Sequence, residues 1–386
     1  MNKVLAKQHG AMLVTSSLFM IFLMGLAAVV VDVGHMMTAR NELQNAADAA
    51  ALAGATCLTR SSAPSGQDCT SSPSASLNWD MARAKAQQTI GLNQLDGVPL
   101  VDGTVTTGYK NMAGTPADLQ ATTLSPVGAY DKPAVRVQLR KAPGSNGGPL
   151  QTLIMAMYGG SGLSMTATAV AVISSPATVP PNSLIPYAIN QCMFNLYWDT
   201  ASNAPRRATS TSLNGVPQVL GQPWEFRIGS SYHYPNCESG QWSSGGSDQD
   251  SEDSEDNEGD EGDEGKGENK GKASKALISS GNVNGLAIGD LVEIQPGTKA
   301  ALYKSLSAQY PTPPGADVSL VVVNRASGLD KVGSTPVVGF AGFRITDIQG
   351  GSGKYIQGHF IQSATTPGSS GVGAYFGTYT PPRLAQ

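Results

Sequence analysis

Residues Ala11 to Val31 carry no charged side chain, a run of 21. Coiled as an α-helix at 1.5 Å per residue, such a run is about 30 Å long, the thickness of a bilayer's hydrocarbon core. A cleaved signal peptide has a shorter apolar region, roughly 7–15 residues, closed by a small-residue cleavage site. Here the run is longer, and Asp32 follows it without a break. The segment 11–33 therefore reads as a retained transmembrane helix, with Asp32 marking the membrane boundary. Lys3 and Lys7 precede the run, and the next basic residue, Arg40, stands among Asp32, Glu42 and Asp48. The positive-inside rule then puts residues 1–10 in the cytoplasm as a short tail and everything beyond Asp32 outside.

No turn signal separates the anchor from the residues after it. Ala39 to Ala55 is rich in helix formers and free of proline, so one helix of about 67 Å is expected from Ala11 to Ala55. Leu43, Ala47, Ala50 and Gly54 recur at three- and four-residue steps and give that helix a small, apolar face. Two readings of the face stand: the outer half packs on its own domain, or the small residues admit sister helices.

Beyond the helix, charged residues are only 14% of the chain while Gly (45) and Pro (24) are abundant, the balance of a loop-rich, strand-rich body. Residues 34–173 read as the long helix plus a small α/β unit. This unit has a second helix over Leu77–Gln94, strands at Ala134–Arg140 and Leu163–Ile173, and a short helix between Pro149 and Gly159. Ser174–Ser183 is Pro-rich and reads as a linker. Residues 184–386 read as a β-rich domain with one helix capped by Thr298; Val337–Phe343, apolar on both faces, is its central strand. The fold class is α+β. Inside the last domain, Asp248–Lys272 holds 12 acidic and 3 basic residues and leaves 22 basic and 17 acidic residues elsewhere. A loop 243–275 of that composition is expected to be disordered.

The four cysteines are expected to pair with their neighbours in an oxidising compartment, as Cys57–Cys69 and Cys192–Cys237. Zinc fits less well, because no CxxC occurs and His9, His35, His233 and His359 are scattered. His233, between Tyr232 and Tyr234, belongs to what reads as a surface aromatic cluster. The acidic run fits no EF-hand register: from Asp250 the sixth position is Glu255, and from Asp248 it is Asp253, where Gly is required. "GGSGKY" lacks both the first Gly and the Ser/Thr of a P-loop, and neither GxSxG nor HExxH occurs. No basic patch with interleaved aromatics marks a nucleic-acid binder. No catalytic, cofactor or metal residue is assigned, and neither nucleotide nor nucleic acid is an expected partner.

An anchor beginning Gly10–Ala11 and continuing as "VVVDVGHMMTARNELQNAADAAALAGA" resembles the TadE/TadG-like family of Tad (Flp, tight-adherence) pilus assembly proteins. The likeness is dense over residues 10–55. It extends thinly across 184–362 through "LIPYAI", "CESGQW", "VVGFAGFRIT" and "GKYIQGHFI". The resemblance implies a bacterial inner-membrane protein with a periplasmic C-terminal domain. Its implied partners are the bilayer and other Tad assembly components or minor pilins, and its implied role is non-enzymatic. Gly10–Ala11 is the implied processing site, although Thr15 stands where the pilin pattern has Glu. The alternative is a membrane-anchored adhesin whose β-rich head exposes aromatic residues around Tyr232–Trp242.

Overall fold

The computed structural model describes residues 8–58, 69, 77–157, 160–200, 202, 204–229, 232–234, 237–244, 282, 284–296, 300–325, 328–350, 353–362, 364–371 and 373–385. The acidic run 248–272, most of the loop 59–76, the tail 1–7 and the expected cap Thr298 lie outside them.

Helix α1 is continuous from Gln8 to Thr56, 49 residues. Along its first half the large apolar side chains from Met12 to Val33 are exposed. Its second half is the floor of a core, with Ala39, Leu43, Ala46, Ala47, Ala50, Ala51 and Ala55 all buried. The first reading of the small face is therefore the observed one.

Helix α2 (Trp79–Ile90) lies against that face and buries Ala82, Ala86 and Ile90. It begins where the Asn78 side chain accepts the Met81 N–H at 3.1 Å and ends at Ile90, with Gly91 as its C-cap, inside the stretch Leu77–Gln94. Gly54 shows how close the approach is: a Cβ there would stand 2.8 Å from the Ala82 carbonyl oxygen and 2.9 Å from the Ala86 Cβ.

The chain then forms a hairpin of β1 (Gln94–Leu95) and β2 (Val98–Pro99), followed by β3 (Gly103–Asn111), β4 (Asp131–Lys141), the five-residue helix α3 (Leu153–Met157) and β5 (Met165–Val172). Strands β3, β4 and β5 pair antiparallel in sequence order, and α1 packs on β4 and β5. Val135, Val137 and Leu139 alternate into the core as their spacing predicts. The sheet's fourth strand is β14 (Arg383–Leu384), which pairs Arg383 with Val172 and Leu384 with Ala171. The far end of the chain thus completes the first unit, and Tyr379 joins its core.

Within the Pro-rich 174–183 segment, Pro176–Val179 forms β6, paired with Leu286–Ala287 and Ser369–Ser370. Past it come β7 (Tyr187–Asn190), α4 (Gln191–Tyr197), β8 (Phe226–Ile228), β9 (Gly240–Ser244), β10 (Leu291–Gln295), α5 (Ala300–Gln309), β11 (Ala316–Val323), β12 (Gly333–Gln349) and β13 (Tyr355–Phe360). β12 is central, as its two-sided apolar sequence predicts: it pairs with β10 and β13 along one edge and β11 along the other. Because β11 also pairs with β7, and β9 joins β7 to β10, five strands close into a ring. Both faces of β11 are buried. Leu320 and Val322 enter an aromatic core with Tyr187, Trp242, Phe343 and Phe360; Val321 and Val323 enter an aliphatic one with Val292, Ile294 and Phe340.

In the aromatic cluster expected at the surface, Tyr234 is buried and Tyr232 is half-buried against the core; Trp242, which the adhesin alternative needs exposed, is 2% exposed. The Cys57–Cys69 disulfide closes the end of α1, and Cys192–Cys237 ties α4 to the Cys237–Glu238 strand.

Ala is the better helix former by about 1 kcal/mol, and at Gly34 nothing lies within 4 Å of a new Cβ. Gly34→Ala should therefore raise the thermal midpoint of the detergent-solubilised protein. At Gly54 the overpacking, about 1–3 kcal/mol, outweighs that gain, and Gly54→Ala should lower it. Lys132 on β4 is buried, and that burial pushes its ammonium down to about 8 while Asp131 pulls partly the other way. Between that value and the ordinary 10.5 the unfolded chain holds more protons, so stability rises with pH across this window. Lys132→Met should raise stability at pH 7 by up to about 3 kcal/mol, the advantage fading toward pH 10 in urea titrations.

Candidate functional site

The place where α1 changes surroundings is built with more polar contacts than the rest of the helix. Asp32 is the first charged residue after the apolar run. Its side chain is 6% exposed. One carboxylate oxygen accepts the Leu153 N–H at 2.7 Å, the other accepts the Ile154 N–H at 2.8 Å, and the Thr152 hydroxyl adds a third hydrogen bond. These are the N–H groups that open α3 and have no partner within so short a helix. A carboxylate from a helix 121 residues earlier therefore caps α3. Charge-assisted bonds of this type are about twice as strong as neutral ones.

One turn further along, His35 Nε2 lies 3.0 Å from Asp96 Oδ1, and the Asp96 backbone N–H donates to Glu42 Oε2 at 3.0 Å. The β1–β2 hairpin is thereby held to α1. Gln44 donates to Asp48 Oδ1 at 2.7 Å and to the Thr168 carbonyl at 3.3 Å, which ties the same helix to β5. The remaining face of α1, through Met37, Asn41, Asn45 and Ala49, is exposed along the length of the head. Sequence reasoning located Asp32 but not its partners, which sit in a segment read as an unremarkable short helix.

Gly10 and Ala11, the expected processing site, lie within α1. The two cysteine pairs stand at separate places, one at the outer end of α1 and one in the β-rich unit. His233 sits in a short strand pairing with Glu238, and its side chain lies outside the described residues.

A polar cluster that the sequence did not single out covers β8, β12 and β13. Glu225 accepts Gln357 Nε2 at 2.7 Å and faces His359 Nδ1 at 3.7 Å. Arg227 donates to Gln357 Oε1 at 3.1 Å and lies 4.1 Å over the Tyr355 ring, whose hydroxyl donates to Asp347 at 2.8 Å. Burial pushes the Glu225 carboxyl up, but His359 and Gln357 together hold it below its ordinary value. Glu225, Arg227, Gln357, Tyr355 and Asp347 engage one another, which makes the cluster a brace across three strands, while His359 Nδ1 is buried beside Glu225 beyond hydrogen-bond distance. A shallow cleft of about 680 Å³ beside Trp224 is lined by Asp199, Arg206 and Arg207. Arg206 donates to the Trp198 carbonyl and Arg207 to the Gly221 carbonyl. Among the described residues, no group of three or more His, Cys, Asp or Glu side chains is placed to hold a metal ion.

The junction makes a direct prediction. Asp32→Ala should speed amide hydrogen exchange at Leu153 and Ile154 by roughly tenfold or more, while Cys192–Cys237 stays formed. Unchanged exchange at both amides would show that the cap contributes nothing.

Residues 10–56 match a family model described as Flp pilus-assembly TadE/G-like, and residues 34–171 match one described as Tad-like Flp pilus-assembly. Neither match reaches the β-rich unit beyond residue 171. Comparison with curated proteins and with solved structures finds no match. The two matches together span residues 10–171, the region of α1, its junction and the unit packed on it, and over this region the chain is similar to the TadE/G-like and Tad-like Flp pilus-assembly families.

Proposed function

We propose that the protein is a TadG-like component of the pilus-assembly machine, held in the bacterial inner membrane by the first half of α1. Its N-terminus is cytoplasmic, and both folded units stand in the periplasm. It acts by protein–protein contact and not by catalysis. The observation that carries this reading is the single helix whose exposed apolar half is long enough to cross a bilayer and whose other half is the core of the family-matched unit. A rigid element shared between anchor and head transmits position from one to the other without a hinge. The contact surface for partners is the open face of α1 through Asn41, Asn45 and Ala49, because the opposite face is already covered. The adhesin alternative asked for exposed aromatics around Tyr232–Trp242, and burial of Tyr234 and Trp242 removes its motivation. Cleavage after Gly10 would remove Lys3 and Lys7, the charges that orient the anchor. N-terminal sequencing of the mature protein reads this directly.

The test uses cells lacking the chain. The full-length protein should restore pili and remain in membranes after an alkaline wash, and alkaline phosphatase fused at its C-terminus should be active. Asn41→Arg with Asn45→Arg should abolish pili while leaving both disulfides and the thermal midpoint intact. Recovery of the intact protein in the soluble fraction, or an inactive phosphatase fusion, would refute the anchoring. Normal pili in the double variant would refute the assigned face.

A further inference from the structure

The apolar surface of the protein does not end where the spanning half of α1 ends. Two segments of the head are held to the helix at that level. The Asp32 carboxylate fixes the start of α3. His35, about 4.5 Å further along the axis, fixes the β1–β2 hairpin through Asp96. Both segments turn large apolar side chains outward. On α3, Leu153 is 52% exposed and Met157 is 73% exposed. Beside the hairpin, Leu92 is 77% and Val101 68% exposed, and Val98 within it is exposed as well. On the helix itself Val33 and Met37 are exposed too.

The two segments touch each other's supports. Asn146, just before α3, accepts the Val101 and Asp102 N–H groups at 2.9 and 3.0 Å. They form one rim around the emerging helix. The polar layer of a bilayer is roughly 5–7 Å deep on each side of the hydrocarbon. Met37 lies about 7.5 Å beyond Asp32 along α1, so the rim and the lipid headgroup layer occupy the same level.

We propose that this rim is a membrane seat: Leu153, Met157, Leu92, Val98 and Val101 insert into the outer interfacial layer of the same bilayer that α1 crosses. The occupant follows from level and continuity. The surface adjoins the lipid-facing surface of α1, and the contacts that position it leave from the first residues past the apolar run. The head then meets the membrane at several points around the helix, which fixes its tilt and its rotation about the helix axis. The inference rests on the anchoring reading, and its test separates the two.

The full-length protein is reconstituted into vesicles of phosphatidylethanolamine and phosphatidylglycerol, with and without bromine near the top of the acyl chains. Single tryptophans are added in separate variants: Phe22→Trp in the anchor, Leu153→Trp and Met157→Trp on the rim, and Ala49→Trp, about 26 Å beyond Asp32 along α1. The added emission is read against the parent protein. The expected result is loss of added emission in brominated vesicles for Phe22→Trp, Leu153→Trp and Met157→Trp, and none for Ala49→Trp. Quenching of Phe22→Trp without quenching of either rim variant overturns the seat and leaves the anchor standing. The same pattern with blue-shifted rim emission means that a second copy covers the rim, and overturns the seat equally. No quenching of Phe22→Trp overturns both.

Discussion

The close approach of α1 to α2 and to the first sheet, at Ala47, Ala50 and Gly54, is the constraint on which the rest of the head depends. Small side chains let backbones come near, and nearness leaves no room for adjustment. A Cβ at Gly54 would press on the Ala82 carbonyl and the Ala86 side chain. The same residues that make this half of α1 a good helix therefore also make it a floor for other elements. Because the floor and the exposed apolar half are one helix, the sheet and α2 are registered to that apolar half by covalent continuity. The polar contacts of Asp32, His35 and Glu42 add direction, since each ties a different segment to one level of the axis.

The β-rich unit solves a separate problem. Its sequence is short on long helices and rich in Gly and Pro, so it closes strands into a ring and fills the two faces with different side chains. Aromatic residues gather under α4 and α5; aliphatic ones gather on the other face of β11. The ring leaves few open edges for unwanted strand pairing. The brace of Glu225, Arg227, Gln357 and Tyr355 then crosslinks the strands that extend beyond the ring.

The legible parts of the sequence were those with local causes. The length of the apolar run, the lack of breakers through Ala55, and the alternation of Val135, Val137 and Leu139 each follow from neighbours in the chain. So does the two-sided apolar pattern of β12. Less legible was β3, whose "GTVTTGYKN" is half threonine and glycine and becomes a strand by pairing along all of its length with β4. Helix α4 is too short to show a period. β6 begins with Pro176 in a stretch whose prolines read as a linker, yet a proline is tolerated at the first position of a strand. The burial of Trp242 is not legible either, because nothing local reveals that β9 lies between β7 and β10. Asp32 was seen as a boundary and not as a cap, because the N–H groups it receives are 121 and 122 residues away.

Strand β14 reaches back more than 200 residues to finish the sheet that β5 begins. A chain synthesised from its N-terminal end exposes β5 with an unsatisfied edge until Arg383 and Leu384 arrive. The unit built on α1 thus closes late, and a truncated or stalled polypeptide leaves a raw edge on β5. Completion of the head therefore waits on this one strand, and an unfinished molecule differs from a finished one by an open sheet edge.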